Sequence, residues 1–269
     1  MKNSILLTLA LCTALLTNAQ DQVWKIGFKL NPNVSWQKPD SKHMTNEGTN
    51  IRLGFSLMVD KHFTDNYALG LGLNIFTTGG KLSYLRVQSM EIPGLVNNYD
   101  VISSVNRTYK LQYGEVPFTL KLRTNEIGYI TYWGQFGLGL GFNIKAKADD
   151  EVDYLKQATG DTGAGEDRWE DSVLESVTTE DEDIKDDIKL FRTSLIIGAG
   201  IEYSLSGSTS IIAGFTYNNG FSNAMNGQGV QLDDRDAPIY EGAGENKTPK
   251  LFDLKGYTNF VELNVGILF

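Results

Sequence analysis

Along most of the chain, apolar and polar positions alternate with period two, the spacing that puts successive side chains on opposite faces of a β-strand. At the C-terminus Val261, Leu263, Val265, Ile267 and Phe269 share one face, and Glu262, Asn264, Gly266 and Leu268 the other. Around 191–204, Thr193, Leu195, Ile197, Ala199, Ile201 and Tyr203 oppose Arg192, Ser194, Gly198, Gly200 and Glu202, with Ile196 out of pattern. In 129–145 the bulky set is Tyr132, Phe136, Leu138, Leu140, Phe142 and Ile144, and Lys145 falls with the small and polar set. Repeating this predicts eight strands, at 23–35, 50–63, 67–78, 107–122, 128–147, 188–204, 209–221 and 254–269.

The connections alternate in length. Residues 64–66, 124–127 and 205–208 are tight turns, whereas 36–49, 79–106, 148–187 and 222–253 are long. Short turns at one end and long loops at the other predict an all-β fold, an eight-stranded antiparallel transmembrane β-barrel. The choice between a membrane and a soluble barrel rests on which face is apolar. A soluble barrel turns apolar side chains inward; lipid, which cannot satisfy polar groups, reverses this. Here the bulky face carries almost no charge at strand centres. The opposite face carries Gly, Asn and Ser with Lys25, Lys29, Arg52, Asp60, Glu115, Lys121, Lys145, Arg192, Glu202 and Glu262. That is material for a narrow polar lumen in which Glu115, Glu202 and Glu262 stand opposite bases such as Arg52, Lys121 and Arg192. Eight strands leave an interior mostly filled by side chains, so no wide channel is expected. Trp24, Phe63, Tyr67, Tyr129, Tyr203 and Tyr217, near strand ends, fit interfacial girdles.

The first 19 residues read as a signal peptide. Lys2 supplies the positive start, Ile5–Leu16 an apolar run too short to span a bilayer, and Ala19 a small residue before Gln20. The domain is then 20–269. The single cysteine, Cys12, lies inside the apolar run rather than after it, so lipidation is not expected. The mature chain would lack cysteine, which removes disulfides and thiolate chemistry.

One irregularity interrupts the alternation. Tyr109, Leu111 and Tyr113 share one parity, while Phe118, Leu120 and Leu122 share the other. A bulge at Gly114–Pro117 is the expected solution, because proline donates nothing to a ladder. The same stretch, Tyr113-Gly114-Glu115-Val116-Pro117-Phe118-Thr119-Leu120-Lys121, resembles the Tyr-x-Glu-Ile-Pro-Leu-x-x-Lys run of PorT-like outer-membrane β-barrel proteins of the Bacteroidota, with Val116 in place of isoleucine. Tyr132-Trp133-Gly134 to Gly141-Phe142 is similar to that family's next strand, and the terminal Phe269 to the C-terminal signal read by the barrel assembly machinery. The resemblance implies an outer-membrane location and, for some members, service to a protein-secretion apparatus. It brings no catalytic residues.

Charge is concentrated in one place. The chain has net charge −9, yet residues 148–187 hold 16 Asp and Glu against 3 Lys and Arg, a net of −13. The remainder is therefore net +4. An acidic chain argues against nucleic acid as a partner. Within 148–187, Asp149, Asp150, Asp153, Asp181 and Asp183 are candidate oxygen ligands for Ca²⁺, although their spacing is not that of an EF-hand. No other cofactor is expected. Glu166–Thr178 carries Trp169, Val173, Leu174 and Val177 at helical spacing, Asp171-Ser172-Val173 matches a short glycosylation pattern, and the whole loop is expected to be dispensable for folding. The only histidines, His43 and His62, are predicted at opposite ends of the barrel, which leaves no nucleophile with a positioned base and no zinc site.

The expectation is thus a non-enzymatic outer-membrane barrel. It would act through its loops as a structural, adhesion or assembly and secretion-associated component, in contact with lipid and with a surface or secretion-system protein. A narrow pore or small-molecule transporter is the alternative, and a soluble lipocalin-like carrier a third reading.

Overall fold

The structure is a computed structural model and describes residues 24–91, 98–155, 173–234, 238–242 and 248–269. The proposed signal peptide, Trp169 and the Asp171-Ser172 pattern lie outside the described residues. Fourteen strands are present among the described residues: β1 (Trp24–Pro39), β2 (Met44–Thr64), β3 (Tyr67–Thr78), β4 (Lys81–Glu91), β5 (Asn98–Arg123), β6 (Ile130–Leu155), β7 (Val173–Asp183), β8 (Phe191–Ser206), β9 (Thr209–Gly220), the short β10 (Gln228–Val230), β11 (Tyr240–Glu241), β12 (Thr248–Pro249) and β13 (Leu251–Asp253), and β14 (Gly256–Leu268).

Eight of them close into a ring in the order β1, β2, β3, β5, β6, β8, β9, β14, and β14 pairs back onto β1 from Gly27↔Leu268 to Pro39↔Gly256. Every pairing is antiparallel. Closure gives each lipid-facing peptide group a partner, as a bilayer demands. The eight strands predicted from alternation are all found.

The predicted long loops differ. Two of the four are arms of extended hairpins. β4 continues β3 past Gly79–Gly80, and both pair with β5 in one unbroken register, from Tyr67↔Leu122 to Glu91↔Asn98. At the junction the Gly79 N–H donates to Ser35 Oγ (3.0 Å), and a Cβ at Gly79 would run into the Tyr109 carbonyl oxygen. Likewise β7 returns along β6, from Lys147↔Asp183 to Leu155↔Val173, and joins β8 through a single 3-10 turn at Lys185–Asp187. The region 148–187, expected as a loop, is therefore strand at 148–155 and 173–183. The helix expected over Glu166–Thr178 is strand from Val173 onward. Pairing decided this: Val177 lies opposite Val152, and a strand partner outweighs weak local helical spacing.

β5 and β6 are each 26 residues long, about 85 Å of extended chain. A tilted strand crosses a bilayer in roughly 9–11 residues. More than half of this hairpin therefore stands beyond the membrane, on the long-loop side.

The bulge also moves. β5 keeps one register with β3 straight through Gly114–Pro117. The shift lies on β6, where Gln112 pairs with Lys145 and Tyr113 with Asn143, leaving Ile144 as the extra residue. Ile144 and Lys145 are consequently both exposed, and Ala146, Ala148, Asp150 and Val152 turn inward. Lys145, expected in the lumen, is outside it.

Candidate functional site: the lumen and its two ends

Inward and outward faces follow the alternation. Phe28, Leu30, Leu57, Phe118, Leu138, Ile197, Phe215, Leu263 and Val265 are exposed on the outside, and their neighbours Lys29, Asn31, Ser56, Thr119, Ser194, Thr216 and Asn264 are buried inside. Bulky apolar side chains on the outside and amides and hydroxyls within mark a lipid-facing belt. The arrangement excludes the soluble carrier. Among the girdle candidates, Trp24, Phe63, Tyr67, Tyr129 and Tyr203 are exposed at the short-turn, periplasmic end, where Tyr129 and Tyr203 lie 6.2 Å apart. Tyr217 stacks on Trp36 at the other end (6.3 Å).

Inside, four levels follow one another. At the periplasmic end, Lys121 Nζ sits 2.7 Å from Asp60 and 2.7 Å from Glu202. Arg123 reaches the other Glu202 oxygen at 2.7 Å, and Lys25 approaches that same oxygen at 3.8 Å. His62 Nε2 lies 3.1 Å from Arg123 Nη1. A guanidinium only donates, so in this contact Nε2 is the acceptor. An apolar patch of Met58, Trp133, Ile212 and Leu268 packs beside this group.

The second level is made of amides. Lys29 and the Asn31 amide both donate to Asn264 Oδ1, Ser56 donates to Asn31, and Asn264 donates to Thr216. A cavity of about 30 Å³ lies here, bordered by Lys29, Asn74, Thr119 and Glu262. It is large enough to hold water. Glu262 faces inward as expected, but among the described residues no base stands within ion-pair distance of it.

The third level is centred on Arg192. Its guanidinium reaches Glu115 Oε2 (2.8 Å), Asn218 Oδ1 (2.5 Å) and the Thr258 carbonyl (2.9 Å). Ser194 and Asn218 complete the Glu115 carboxylate (3.0 and 3.1 Å). Both charged side chains are essentially fully buried, at 1% and 0% exposure. The other face of the guanidinium lies over the rings of Phe76, Tyr113 and Phe260. Of the expected pairs, Glu115 with Arg192 and Glu202 with Lys121 are therefore formed. Arg52 is half-buried and joins neither.

The fourth level is apolar, where the alternation predicts a polar lumen throughout. From Phe76, Tyr113 and Phe260 outward, the interior is filled by Tyr109, Leu111, Leu82, Tyr84, Val105, Met44, Ala146, Ala148 and Val152. The segment between β9 and β14 folds over it: Met225 and Leu254 are buried in the same cluster, and the Asn223 side chain holds both of their carbonyls. Ile184 and Ile188, from the turn joining β7 and β8, close the remaining side. Arg107 is set into the plug between Tyr109 and Val105, with a two-pronged contact to Asp150 (2.8 and 2.6 Å) and a third bond to Asp187 (2.6 Å). Only the parity of Tyr109, Leu111 and Tyr113 hinted at this layer in the sequence.

The acidic candidates are dispersed by these contacts. Asp150 is buried under Arg107. Asp149 and Asp181 share Lys110 at 2.7 and 3.0 Å, and Asp181 also faces Lys147. Asp153 accepts from Ser176, and Asp183 accepts the Lys185 backbone N–H. Burial alone would raise the Asp149 carboxyl, but the Lys110 ammonium and the Asp181 N–H outweigh it and hold it below the usual carboxylate range. Lys110 holds Asp181 down likewise. Among the described residues no three or more of these groups gather in a metal-holding arrangement. His43 packs on Phe252 at the outer end, and His62 lies in the periplasmic group, so the fold keeps them apart.

Comparison with known proteins bears on the barrel as a whole. No curated protein sequence matches the chain. Among solved structures, it is similar to Ail, the attachment invasion locus protein of Yersinia pestis (15% identity, 91% of this chain and 98% of that one, TM-score 0.34). It is also similar to the outer membrane protein OprG of Pseudomonas aeruginosa (10% identity, 91% and 95%, TM-score 0.37) and to Neisserial surface protein A (9% identity, 90% and 95%, TM-score 0.35). The family model described as outer membrane protein beta-barrel domain matches residues 18–226. With the closed ring, the lipid belt and that match together, the chain belongs to the outer membrane protein beta-barrel domain family and resides in the outer membrane.

Proposed function

We propose that the protein works at the cell surface as a non-enzymatic structural, adhesion or assembly and secretion-associated component, through the sheet it raises above the membrane. The observation that carries this reading is the filled interior. Among the described residues, the Glu115–Arg192 level and the apolar plug beyond it occupy the lumen with buried side chains. Outside, β4 to β7 form a sheet whose outward residues, among them Asn106, Thr108, Asp149, Glu151, Thr178 and Glu180, line a polar groove open to solvent. Polar side chains on rigid strands suit recognition of a protein surface better than chemistry, for which no nucleophile and base stand together among the described residues. The resemblance around Tyr113–Lys121 points the same way, toward a PorT-like assembly or secretion role. In that stretch Glu115 and Lys121 are both lumen ion-pair members, so the motif serves the barrel rather than a site.

The test has two arms. Purified protein in planar bilayers is expected to show no discrete conductance steps. On cells, a photo-crosslinker at Asn106 or Thr178 is expected to trap one defined surface or secretion-system protein, and Glu151→Lys with Glu180→Lys to abolish that adduct while leaving the barrel inserted. Reproducible conductance, with no adduct, would shift the assignment to the narrow pore.

A further inference from the structure

The periplasmic end of the lumen opens into a cavity of about 560 Å³ whose chemistry the surface role does not use. Its floor carries a surplus base. Three cations, Lys25, Lys121 and Arg123, share two carboxylates, Asp60 and Glu202. Lys121 takes one oxygen of each at 2.7 Å, and Arg123 takes the second Glu202 oxygen at 2.7 Å. Lys25 is left 3.8 Å from an oxygen that Arg123 already occupies. No closer carboxylate reaches it among the described residues, and its side chain keeps 14% exposure at the cavity floor.

The walls supply hydroxyl donors. Thr64 Oγ1 accepts the N–H groups of Asn66 and Tyr67, and Thr124 Oγ1 accepts that of Tyr132. Each hydroxyl proton is therefore left to donate. The two acidic residues on the rim, Asp65 and Glu126, are exposed, and Glu126 is held by Ser204 (3.0 Å). Water screens such charges far more than those on the floor. Phe63 lines the cavity, and Tyr129 and Tyr203 mark the interface at this end, which sets the mouth at headgroup depth.

We propose that the periplasmic mouth binds a phosphate-type oxyanion, with Lys25 as its charge partner and the Thr64 and Thr124 hydroxyls as hydrogen-bond donors. A loosely held ammonium with O–H donors lining the same cavity matches a tetrahedral oxyanion. The phosphate belongs either to an inner-leaflet lipid or to a soluble periplasmic molecule, and both present the same chemistry.

The experiment titrates inorganic phosphate into the full mature chain in an uncharged, phosphate-free detergent. Binding is followed by the Lys25 side-chain and Thr124 amide resonances and by calorimetry. A saturable response is expected at both positions. Lys25→Met should weaken binding about tenfold or more, the size of one charge-assisted contact, and Lys25→Arg should restore it, both variants remaining heat-modifiable. No saturable response, an unmoved Lys25 in the wild type, or equal affinity in Lys25→Met would each overturn the proposal. A second arm repeats the titration in nanodiscs containing phosphatidylglycerol. Resonances already shifted and no longer responsive to added phosphate assign the mouth to lipid headgroups. A response equal to that in detergent assigns it to a soluble phosphate.

Discussion

Strand β5 runs through two interiors. From Glu115 to Lys121 its inward residues are Glu115, Thr119 and Lys121; from Val105 to Tyr113 they are Val105, Arg107, Tyr109, Leu111 and Tyr113, with Arg107 paired to Asp150 among otherwise apolar neighbours. The side-chain alternation is continuous between them and the pairing with β3 and β4 does not slip. What reverses is the solvent outside. Opposite Glu115–Lys121, lipid meets Phe118, Leu120 and Leu122 and takes the apolar residues, so the inside is polar. Above, water meets Asn106 and Thr108, so the apolar residues go inside, as in a soluble barrel. The change falls at Arg192, whose guanidinium pairs with Glu115 below and lies over Phe76, Tyr113 and Phe260 above.

The largest effect is expected where the two interiors meet. Arg192→Met leaves Glu115 buried without a counter-charge, which costs about 3–5 kcal/mol. Adding Glu115→Leu should return much of that stability, because the pair is then replaced by apolar contact with the rings above. Urea midpoints of refolded protein check this. A double variant no more stable than the single one would mean that this level must stay polar.

Within the upper interior, Leu111→Ala should cost about 2–5 kcal/mol by opening a cavity in a packed core. A truncation on the outer face of the same strand, Thr108→Ala, should be close to neutral. Similar losses at both positions would deny that the upper half has a core of its own.

On the outer face the comparison reverses. Leu138→Arg or Leu263→Arg places a charge against lipid and should impair insertion by about 2–4 kcal/mol, whereas Asn106→Arg, above the membrane, should insert normally. Heat-modifiability and outer-membrane yield distinguish them. Two arginine variants at wild-type yield would invert the face assignment.

The smallest effect concerns the outer hairpin. The Asp149 and Asp181 carboxyls sit below their ordinary values because Lys110 holds their charged forms. The stability they lend is full above the unfolded carboxylate value near about pH 4 and is lost as pH falls through the lower folded values. Hydrogen exchange of β7 should therefore be flat from neutral pH to about pH 5 and quicken only below pH 4, after correction for intrinsic rates. Lys110→Met should speed exchange at neutral pH and remove that acid-side rise, because the two carboxyls then return toward their unfolded values. The shift should leave the Arg192 level untouched.

The acidic region shows most clearly where sequence reading ran out. Its charge was visible, but 148–187 contains the inner-face residues Ala148, Asp150, Val152 and Ile184, each buried by a partner far away in the chain. Cutting out 150–185 would remove Val152 and Ile184 from the plug and strand Arg107. That deletion is now expected to loosen the outer end rather than to be silent. Charge counted along the chain cannot tell an aspartate under Arg107 from one in solvent. The Arg107–Asp150 bond joins residues 43 apart, and Arg107–Asp187 residues 80 apart.

Period-two alternation with turns of unequal length determined the eight membrane strands and the outward apolar face. Both are local consequences of strand geometry and of lipid's refusal of polar groups. The inward list was mostly legible for the same reason. Lys145 escaped it, because the Ile144 bulge that turns it out depends on how β5 and β6 pair. Only the tertiary structure decided that 81–91, 98–106, 148–155 and 173–183 are strands, that Glu262 faces a small cavity with no paired base among the described residues, and that the outer interior is mostly apolar. A parity switch in a sequence has two causes, a bulge or a change of solvent. Only the strand register through Gly114–Pro117 tells them apart.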